Sequence, residues 1–409
     1  MTELLVAALW SGLIFALLVR AFRQYRSFPS LAPVCGEELA PQVAIVVPAR
    51  NEGRNIARCL RSLLEQDYPG ERYDIVVVDD ASTDGTAGVV ESFRQSSGRV
   101  HSLRAETLPD GWTGKTHACW LGACAPQAAR AEWLCFLDAD TAAQPLFLSS
   151  AMAHARLRGK DMYSVCPRQE IATLWERIFF PVGFLMIAFF QNLRSSNDPG
   201  SPEAAANGQC LLVRREAYAN SRGHAAVAGE VCEDSALAMH LKRCGYAFEI
   251  LSGERLIRTR LYGNLAGLWE GLAKNIVESL GGRLHAIAAI FLAAVLTLGT
   301  IAVPLWTWHV AMLGPLGAAA FALSCFASAA LFATYVRAAG YFETPAWYAL
   351  LFPCGYAIGI GIAIAGLAGE IRGAVAWKGR TIYRQPPARA RFHNILRVAE
   401  RIRWTWVRR

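Results

Sequence analysis

The sequence predicts an α/β domain with a Rossmann-like, mostly parallel sheet, joined to transmembrane helices on its N-terminal and C-terminal sides. Three observations lead to this fold class. In the region 36–280, β-branched runs alternate with helically spaced apolar residues, polar residues follow these runs, and long uncharged segments flank the region. Of the 409 residues, 54% are hydrophobic and only 18% are charged, against about 25% in soluble domains. Part of the chain is therefore expected to lie out of water.

The chain begins with a segment that we interpret as a membrane anchor, residues 1–27. Leu4–Val19 carries no charge and is followed by Arg20, Arg23 and Arg26. No small-residue cleavage site follows, which favours a retained anchor over a signal peptide. Because cytoplasmic flanks are enriched in positive charge, the arginines predict that the next domain lies in the cytoplasm.

The region 36–280 is predicted to form one domain in which three strands end in polar clusters. The pairs of strand and cluster are Val43–Val47 with Pro48–Glu52, Asp74–Val78 with Asp79–Gly85, and Trp133–Leu137 with Asp138–Asp140; a further strand is expected near Val100–Leu103. A single acid after a strand is usually a turn former or a helix cap. Three such clusters in order instead converge on one edge of the sheet, where open α/β sheets bind ligands.

One glycine-rich stretch, Gly111–Thr116 (GWTGKT), superficially resembles a phosphate-binding P-loop. That motif requires a glycine five residues before Gly114, and this chain has Pro109 there. We therefore reject an NTPase function.

Three apolar segments are expected within residues 283–371. Ala286–Val336 has no Asp, Glu, Lys or Arg and is long enough for two spans, since a bilayer core needs about 20 apolar residues in a helix. Thr344–Gly369 suits a third span. A shorter stretch at 178–193 contains Pro181 and is interpreted as a helix that lies in the membrane interface.

The positive charge is concentrated in the tail, residues 372–409. The whole chain has a net charge of +8, but the tail alone holds eleven Lys and Arg against Glu400, so the remainder sums to −2. A nucleic-acid partner is therefore not expected, and Trp404 and Trp406 favour contact with anionic lipid headgroups over a solvated end. Three C-terminal spans would place this tail outside, against the positive-inside tendency. Either one segment is re-entrant, or the number of spans differs, or the tail departs from the rule.

Five motifs follow one another along the region 43–280. They are P-A-R-N-E (48–52), V-D-D-A-S-T-D-G (78–85), G-K (114–115), D-A-D (138–140) and E-D (233–234). This ordered set resembles the family 2 glycosyltransferases of GT-A fold. Within that family, the stretches 108–115, 207–218 and 233–246 look closest to the hopanoid-biosynthesis-associated glycosyltransferases, with carotenoid-type glycosyltransferases as near relatives.

The chain departs from the polymer-forming branch of the family at one motif. Processive polysaccharide synthases carry Q-x-x-R-W after the catalytic acid, and no such string occurs in this sequence. Its absence favours the transfer of a single sugar to a lipid over processive synthesis, which is the alternative. Arg260 and Trp269 are expected to lie over the diphosphate or the acceptor in place of that motif, or to contact the membrane surface.

The resemblance also implies a donor site for a nucleotide sugar. Asp140 would coordinate a divalent metal, Mg²⁺ or Mn²⁺, while Asp138 would contact the ribose or the water shell of the metal. Carboxylate oxygens suit these hard cations, which neutralise the charge that grows on a diphosphate leaving group. The other expected donor-binding residues are Asp79 and Asp80 for nucleobase and ribose, Ala49, Arg50 and Glu52 around the same pocket, and Lys115 for base or phosphate.

Asp234 is predicted to take the proton from the acceptor hydroxyl, with Glu233 as the second candidate. The family precedent implies a direct displacement that inverts the anomeric centre. The alternative for this acidic pair is a cap for the helix expected at Leu237–Lys242. His224 could be a third metal ligand or a base, or a loop histidine with ordinary hydrogen bonds.

Together these features predict a multi-pass enzyme of the inner membrane with a cytoplasmic catalytic domain. It would transfer one sugar to the hydroxyl of a hopanoid-like or terpenoid-like lipid; the sequence does not define an oligomeric state. A transporter or a non-catalytic binding protein is the alternative from another class. Transporters keep ionisable residues within their spans, whereas Ala286–Val336 and Thr344–Gly369 contain none beyond His309.

Overall fold

A seven-stranded sheet forms the centre of the water-compatible part of the chain. The computed structural model describes residues 2–26, 28–36 and 40–383. The strands are β1 Val43–Ala49, β2 Tyr73–Asp79, β3 Val100–Arg104, β4 Trp133–Leu137, β5 Thr141–Ala143, β6 Met162–Cys166, β7 Arg168–Gln169, β8 Cys210–Arg214, β9 Phe248–Ser252, β10 Ile257–Thr259, β11 Ala374–Trp377 and β12 Arg380–Tyr383. The helices are α1 Thr2–Arg26, α2 Ile56–Leu64, α3 Thr86–Ser96, α4 Gly114–Ala123, α5 Phe147–Arg158, α6 Leu174–Phe190, α7 Leu193–Asn197, α8 Arg215–Asn220, α9 Glu233–Arg243, α10 Leu265–Ser279, α11 Arg283–Ala311, α12 Pro315–Tyr341 and α13 Phe352–Arg372.

The strand order of the sheet is β3-β2-β1-β4-β8-β6-β9. β1 to β4 run parallel to one another, whereas β8 is antiparallel to both of its neighbours, β4 and β6. The predicted α/β class with a mostly parallel sheet is therefore confirmed. Because β1 to β4 are parallel, their carboxyl ends meet at one edge, as expected for the polar clusters.

The strands are buried on both faces because helices cover both sides of the sheet. Ile45 and Val47 of β1 belong to the core beneath α2, while Ala44 and Val46 belong to the core beneath α4. The contact with α4 is close: a Cβ on Gly122 would lie 2.3 Å from a methyl carbon of Val46. This packing fixes the start of α4 relative to the carboxyl end of β1.

Four helices are long and apolar enough to cross a membrane: Thr2–Arg26, Arg283–Ala311, Pro315–Tyr341 and Ala346–Arg372, which includes α13. The prediction of transmembrane helices on both sides of the α/β region is thus confirmed at the level of length and composition. The first three pack together, and the Trp10 indole of α1 donates a hydrogen bond to Ser328 of α12 at 3.1 Å. The predicted interfacial segment is part of α6, which starts at Leu174, before the predicted residue 178, and continues through Pro181.

The last long helix, α13, has both ends on the side of the membrane helices that faces the sheet, which we call the sheet side. Near its start, a Cβ on Gly355 would lie 2.5 Å from the carbonyl oxygen of Ile178 in α6. Near its end, Glu370 pairs with Arg283, the first residue of α11. The chain then turns back as the hairpin β11–β12 and reaches the sheet. Residues 384–409, with Trp404 and Trp406, lie outside the described residues.

Candidate functional site

A cavity of about 1650 Å³ lies where the carboxyl ends of β1 and β4 face the membrane helices. Nine of the predicted site residues line it: Ala49, Arg50, Glu52, Asp80, Lys115, Asp138, Asp140, Glu233 and Asp234. They come from five separate elements, because the ends of β1, β2 and β4 and the first turns of α4 and α9 meet at a common edge of the sheet.

Lys115 stands at the centre of the polar part of the cavity. Its ammonium nitrogen lies 2.7 Å from Asp138 and 2.9 Å from Glu233. Burial alone would lower the pKa of Lys115, but the two carboxylates outweigh it and raise that pKa well above its usual value. The lysine is therefore charged, and it is held in place because a capping box between Thr113 and Thr116 begins α4 at Gly114.

Gly114 precedes this lysine for a steric reason. A Cβ at residue 114 would lie 2.2 Å from a carboxylate oxygen of Asp80. The Asp80 carboxylate thus lies directly against the start of α4, where the helix dipole favours negative charge.

Asp234 lies in the first turn of α9, with its carboxylate on the cavity. One oxygen accepts a hydrogen bond from the backbone N–H of Gly208 at 2.7 Å, and the other accepts from the N–H of Ser235 at 2.7 Å. Burial, reinforced by the charge of Glu233, raises the pKa of Asp234 to about 6. A carboxylate held in this way can accept a proton near neutral pH.

Glu233, its neighbour, has the opposite environment. Burial by itself would raise its pKa, but the ammonium groups of Lys115 and Lys274 outweigh that effect and lower it. Glu233 is therefore committed to an ion pair. The two adjacent acids are pushed apart in pKa, a pattern that separates a proton acceptor from a permanent charge.

The Asp-x-Asp pair has the chemistry of a site for a hard divalent cation. Burial, together with the charges of Asp138 and Glu52, raises the pKa of Asp140 to about 7, and the hydroxyl of Thr259 donates to Asp140 at 3.1 Å. Within the described residues, no group of three or more His, Cys, Asp and Glu side chains could hold a metal ion. Two carboxylates nevertheless fit Mg²⁺ or Mn²⁺, which commonly take one or two carboxylates and complete their shell with water and substrate phosphates.

Three predicted residues do not reach the cavity. The Asp79 carboxylate accepts the backbone N–H of Ser82 at 3.1 Å and so forms the turn after β2. Arg260 is half-exposed and pairs with Glu170 at 3.4 Å. The indole of Trp269 packs against α13, where a Cβ on Gly361 would lie 2.4 Å from it.

His224 is buried outside the cavity lining. Its Nδ1 lies 2.9 Å from the hydroxyl of Tyr218, and its Nε2 has no hydrogen-bond partner among the described residues. Burial lowers its pKa to about 4. The structure therefore agrees with a packed loop histidine, and not with a metal ligand or a base at this site.

Sequence reasoning missed a group of residues from the hairpin β11–β12. Trp377, Lys378 and Arg380 line the cavity, where Lys378 pairs with Glu52 and Arg380 pairs with Asp80. The signal for this hairpin is W-K-G-R, with a strand residue on either side of a Lys-Gly turn, and it lies within the segment predicted from the sequence to be the basic tail.

The wall opposite the carboxylates is apolar. α1, α6 and the end of α12 supply large hydrophobic side chains, interspersed with a few polar ones: Leu18, Phe22, Phe180, Phe184 and Phe342, with Gln24, Arg26 and Arg337. One cavity therefore combines a polar part at the sheet edge with an apolar part between membrane-type helices.

Comparison with known proteins agrees with this architecture. Residues 44–219 match the family described as Glycosyl transferase family 2. The 4,4'-diaponeurosporenoate glycosyltransferase of Staphylococcus aureus (strain USA300) is 30% identical over 247 residues, which are 59% of this chain and 62% of that protein. The protein of the same name from Staphylococcus haemolyticus (strain JCSC1435) is 25% identical over 242 residues, 58% of this chain and 62% of that protein. The match thus spans less than two thirds of these relatives.

Among solved structures, a mannosyltransferase from Pyrobaculum calidifontis in complex with GDP-Man and Mn²⁺ superposes with a TM-score of 0.50. It is 22% identical, and the match covers 90% of this chain and 99% of that one. This likeness, with the family match, confirms the predicted GT-A fold.

Proposed function

We propose that this chain, which carries a family 2 glycosyltransferase domain, transfers a single sugar from a nucleotide-sugar donor to the hydroxyl of a membrane lipid. The observation that carries the proposal is the single cavity with a polar and an apolar part. A donor with a diphosphate suits the polar part, and a lipid suits the apolar part.

The polar part of the cavity, which we call the donor half, has the charge pattern that a nucleotide sugar requires. Asp80 would bind the ribose or nucleobase, while Lys115 provides a buried cation for the phosphates beside the start of α4. Arg50 donates to the carbonyl oxygen of Asp80 at 2.6 Å and so holds the turn that carries this acid. These contacts support binding of the donor next to the Asp-x-Asp pair.

The apolar part of the cavity, which we call the acceptor half, is suited to bind a lipid of terpenoid type. Phe180 and Phe184 of α6, Phe342 after α12 and Phe22 of α1 line this part of the cavity with aromatic rings. The two relatives act, by their names, on 4,4'-diaponeurosporenoate, a carotenoid acid. A rigid hydrocarbon of the carotenoid or hopanoid class would fill such a space, and its polar end would reach Asp234.

The proposed reaction is a direct displacement at the anomeric carbon. Asp234 takes the proton from the acceptor hydroxyl as its oxygen attacks the face opposite the diphosphate, which inverts the anomeric centre. Gly208 and Ser235 keep the carboxylate oriented through their backbone N–H groups. Lys115 stays protonated and stabilises the negative charge that develops on the leaving diphosphate.

Asp140 and Asp138 would hold a divalent metal, Mg²⁺ or Mn²⁺. When bound, such a cation neutralises phosphate charge as a Lewis acid. The carboxylate oxygens and the raised pKa of Asp140 support this assignment, since a cation would offset both the desolvation of that acid and its repulsion by Asp138 and Glu52.

The enzyme would reside in the inner membrane, with the sheet on the cytoplasmic side. Arg20, Arg23 and Arg26 at the end of α1 support that orientation. The acceptor would then enter laterally from the adjoining leaflet.

Membranes that contain the wild-type chain, incubated with labelled nucleotide sugars and a bacterial lipid extract, should yield a labelled lipid. Asp234→Asn removes the proton acceptor and Asp140→Ala removes a metal ligand, so both should reduce transfer at least about a hundredfold. Glu91→Gln is the matched control, because Glu91 is half-exposed on α3, lies outside the cavity lining and pairs, among the described residues, with Arg94 and Gln95 of the same helix. Unchanged transfer in both site variants, or a product of high molecular weight, would contradict the proposal.

A further inference from the structure

The hairpin β11–β12 makes specific ionic contacts with the sheet edge, about 300 residues away in sequence. Its two-residue turn, Lys378-Gly379, has φ angles of 44° and 75°, as a tight type I′ connection requires. The turn places the side chains of Lys378 and Arg380 together in the cavity lining. A strand pair of four residues each is too short to stand alone, so its position depends on these contacts and on its packing.

Arg380 and Lys378 each engage a carboxylate that the sequence assigned to the donor site. One guanidinium nitrogen of Arg380 lies 2.8 Å from both oxygens of Asp80. The ammonium group of Lys378 contacts the carboxylate of Glu52 and lies 3.0 Å from the carbonyl oxygen of Arg50. Both cations therefore line the donor half of the cavity.

Contacts with α10 and α13 hold the hairpin in this position. The backbone N–H of Lys378 donates to Glu270 of α10 at 2.9 Å, and the ammonium group of Lys274 lies 4.5 Å above the Trp377 ring. Val375 is buried, and a Cβ on Gly369 of α13 would lie 3.0 Å from it. The membrane-side helices α10 and α13 thus position a wall of the donor half.

The surroundings of Arg380 are suited to an anion. Its guanidinium lies 3.0 Å from the position of a Cβ on Gly114, so it meets the positive end of the α4 dipole. It is also close enough to Arg50 to lower the pKa of that guanidinium, after the larger effect of burial. Like charges gathered at a helix start form a site for phosphate oxygens.

The positions of the other basic and aromatic candidates strengthen this reading. Arg260 and Trp269, which the sequence offered in place of the Q-x-x-R-W motif, lie outside the cavity. Trp377, Lys378 and Arg380 lie inside it. The chain therefore supplies a tryptophan and two cations to the donor half from a different segment.

We propose that Lys378 and Arg380 are donor-binding residues, which ion-pair with the diphosphate of a nucleoside diphosphate while the hairpin closes the donor half. This inference rests on the proposed function. Before the donor binds, the two cations pair with Glu52 and Asp80 and keep these acids neutralised. When it binds, the phosphate oxygens replace the carboxylates as partners, because a phosphate offers a guanidinium more acceptor oxygens in a suitable geometry.

The test measures nucleotide binding by the full-length protein in lipid nanodiscs. UDP and GDP are titrated by calorimetry, with and without added Mg²⁺, and uridine and guanosine serve as probes that lack phosphate. Arg380→Ala and Lys378→Ala should each raise the Kd of the nucleoside diphosphate that wild type binds by about tenfold or more. The Kd of the matching nucleoside should change less, which separates lost phosphate contacts from a distorted pocket.

Arg372→Ala is the matched control, since Arg372 is an exposed cation at the end of α13 outside the cavity lining. Arg380→Lys retains the charge and should therefore bind the nucleotide more tightly than Arg380→Ala does. It provides a second test of the same contact if Arg380→Ala folds poorly. Wild-type affinity in both alanine variants would overturn the inference and leave the proposed function standing. Tighter binding in either variant would also overturn it, because the hairpin would then compete with the donor. No binding of either nucleotide by wild type would instead contradict the proposed function itself.

Discussion

Asp234 and Glu233 are adjacent in sequence, yet their carboxylates have different surroundings. Asp234 is held by two backbone N–H groups and has no cation in direct contact among the described residues, whereas Glu233 lies 2.9 Å from Lys115. Burial and the charge of Glu233 therefore raise the pKa of Asp234 to about 6. A base with this pKa is largely ionised at neutral pH and still has a useful affinity for a proton.

The pKa of Asp234 predicts the pH dependence of transfer. With Asp234 as the proposed proton acceptor, the carboxyl is increasingly protonated below about pH 6 and can no longer take the proton, so kcat/KM should fall about tenfold per pH unit. Glu233→Gln removes a negative charge that raises this pKa, so the acidic limb should move to lower pH. Measurement of kcat/KM from pH 4.5 to 8 in both proteins checks this. A limb near pH 4 in wild type, or no movement in the variant, would contradict it.

The residues that sequence reasoning placed well follow strands directly. Asp80, Asp138 and Asp140 come at the ends of β2 and β4, and parallel strands bring such ends together. Asp79 differs from Asp80 because successive residues of a strand point to opposite faces, and its carboxylate turns to the N–H of Ser82. Which of two adjacent acids faces a ligand depends on the local turn, and composition does not reveal it.

Among the elements, α4 has the strictest packing requirement. A Cβ on Gly122 would lie 2.3 Å from Val46 and 3.1 Å from Val78, both buried in the sheet. By contrast, Gly88 of α3 has nothing within 4 Å of its Cβ position. The two glycines are both helical, so they differ mainly in the space available.

This contrast predicts opposite changes in stability. Gly122→Ala should lower the free energy of unfolding by about 1–2 kcal/mol, because the steric cost of overpacking exceeds the gain in helix propensity. Gly88→Ala should raise it by up to about 1 kcal/mol, since only the gain in helix propensity remains. Denaturant unfolding of the purified protein, followed by tryptophan fluorescence, measures both. Equal shifts in the two variants would show that α4 can move away from β1.

The elements themselves were predictable to different degrees. The β-branched runs gave β1 and β2 within about two residues, because buried parallel strands leave a continuous apolar pattern. The start of α6 was placed too late. Its first turn is set by a capping box between Thr173 and Glu176, a signal that lies outside the apolar stretch. Apolar content alone therefore marks the interior of a helix better than its beginning.

At the scale of the whole molecule, the described contacts bear on the charge conflict in the sequence. α11 leaves the sheet side and α12 returns to it, since Tyr341 at the end of α12 accepts a hydrogen bond from Arg168 next to the sheet. α13 begins beside Ile178 and ends beside Arg283, both on the sheet side. Among the alternatives, a re-entrant or interfacial third segment agrees with these contacts. Hydropathy could not reveal this, because a span and a helix that lies against α6 and α10 have the same composition.

This topology predicts the side on which the tail lies. A reporter fused after residue 409 should be on the cytoplasmic side, as should one inserted in the exposed loop near Gly98. A reporter inserted near Gly314, between α11 and α12, should be on the opposite side. Paired fusions to green fluorescent protein and alkaline phosphatase distinguish the two sides. Phosphatase activity from the fusion after residue 409 would show that α13 crosses the membrane.

The hairpin β11–β12 also orders events during synthesis. A nascent chain that has already formed β1 to β10 still lacks Lys378 and Arg380 beside Glu52 and Asp80, because residues 374–383 follow all the membrane helices. The cavity gains this wall only after α11, α12 and α13 have been synthesised and α13 has brought the chain back to the sheet. If this cavity is the proposed donor site, nucleotide binding would depend on synthesis of the whole chain through residue 383, and a shorter nascent chain would bind nucleotide poorly.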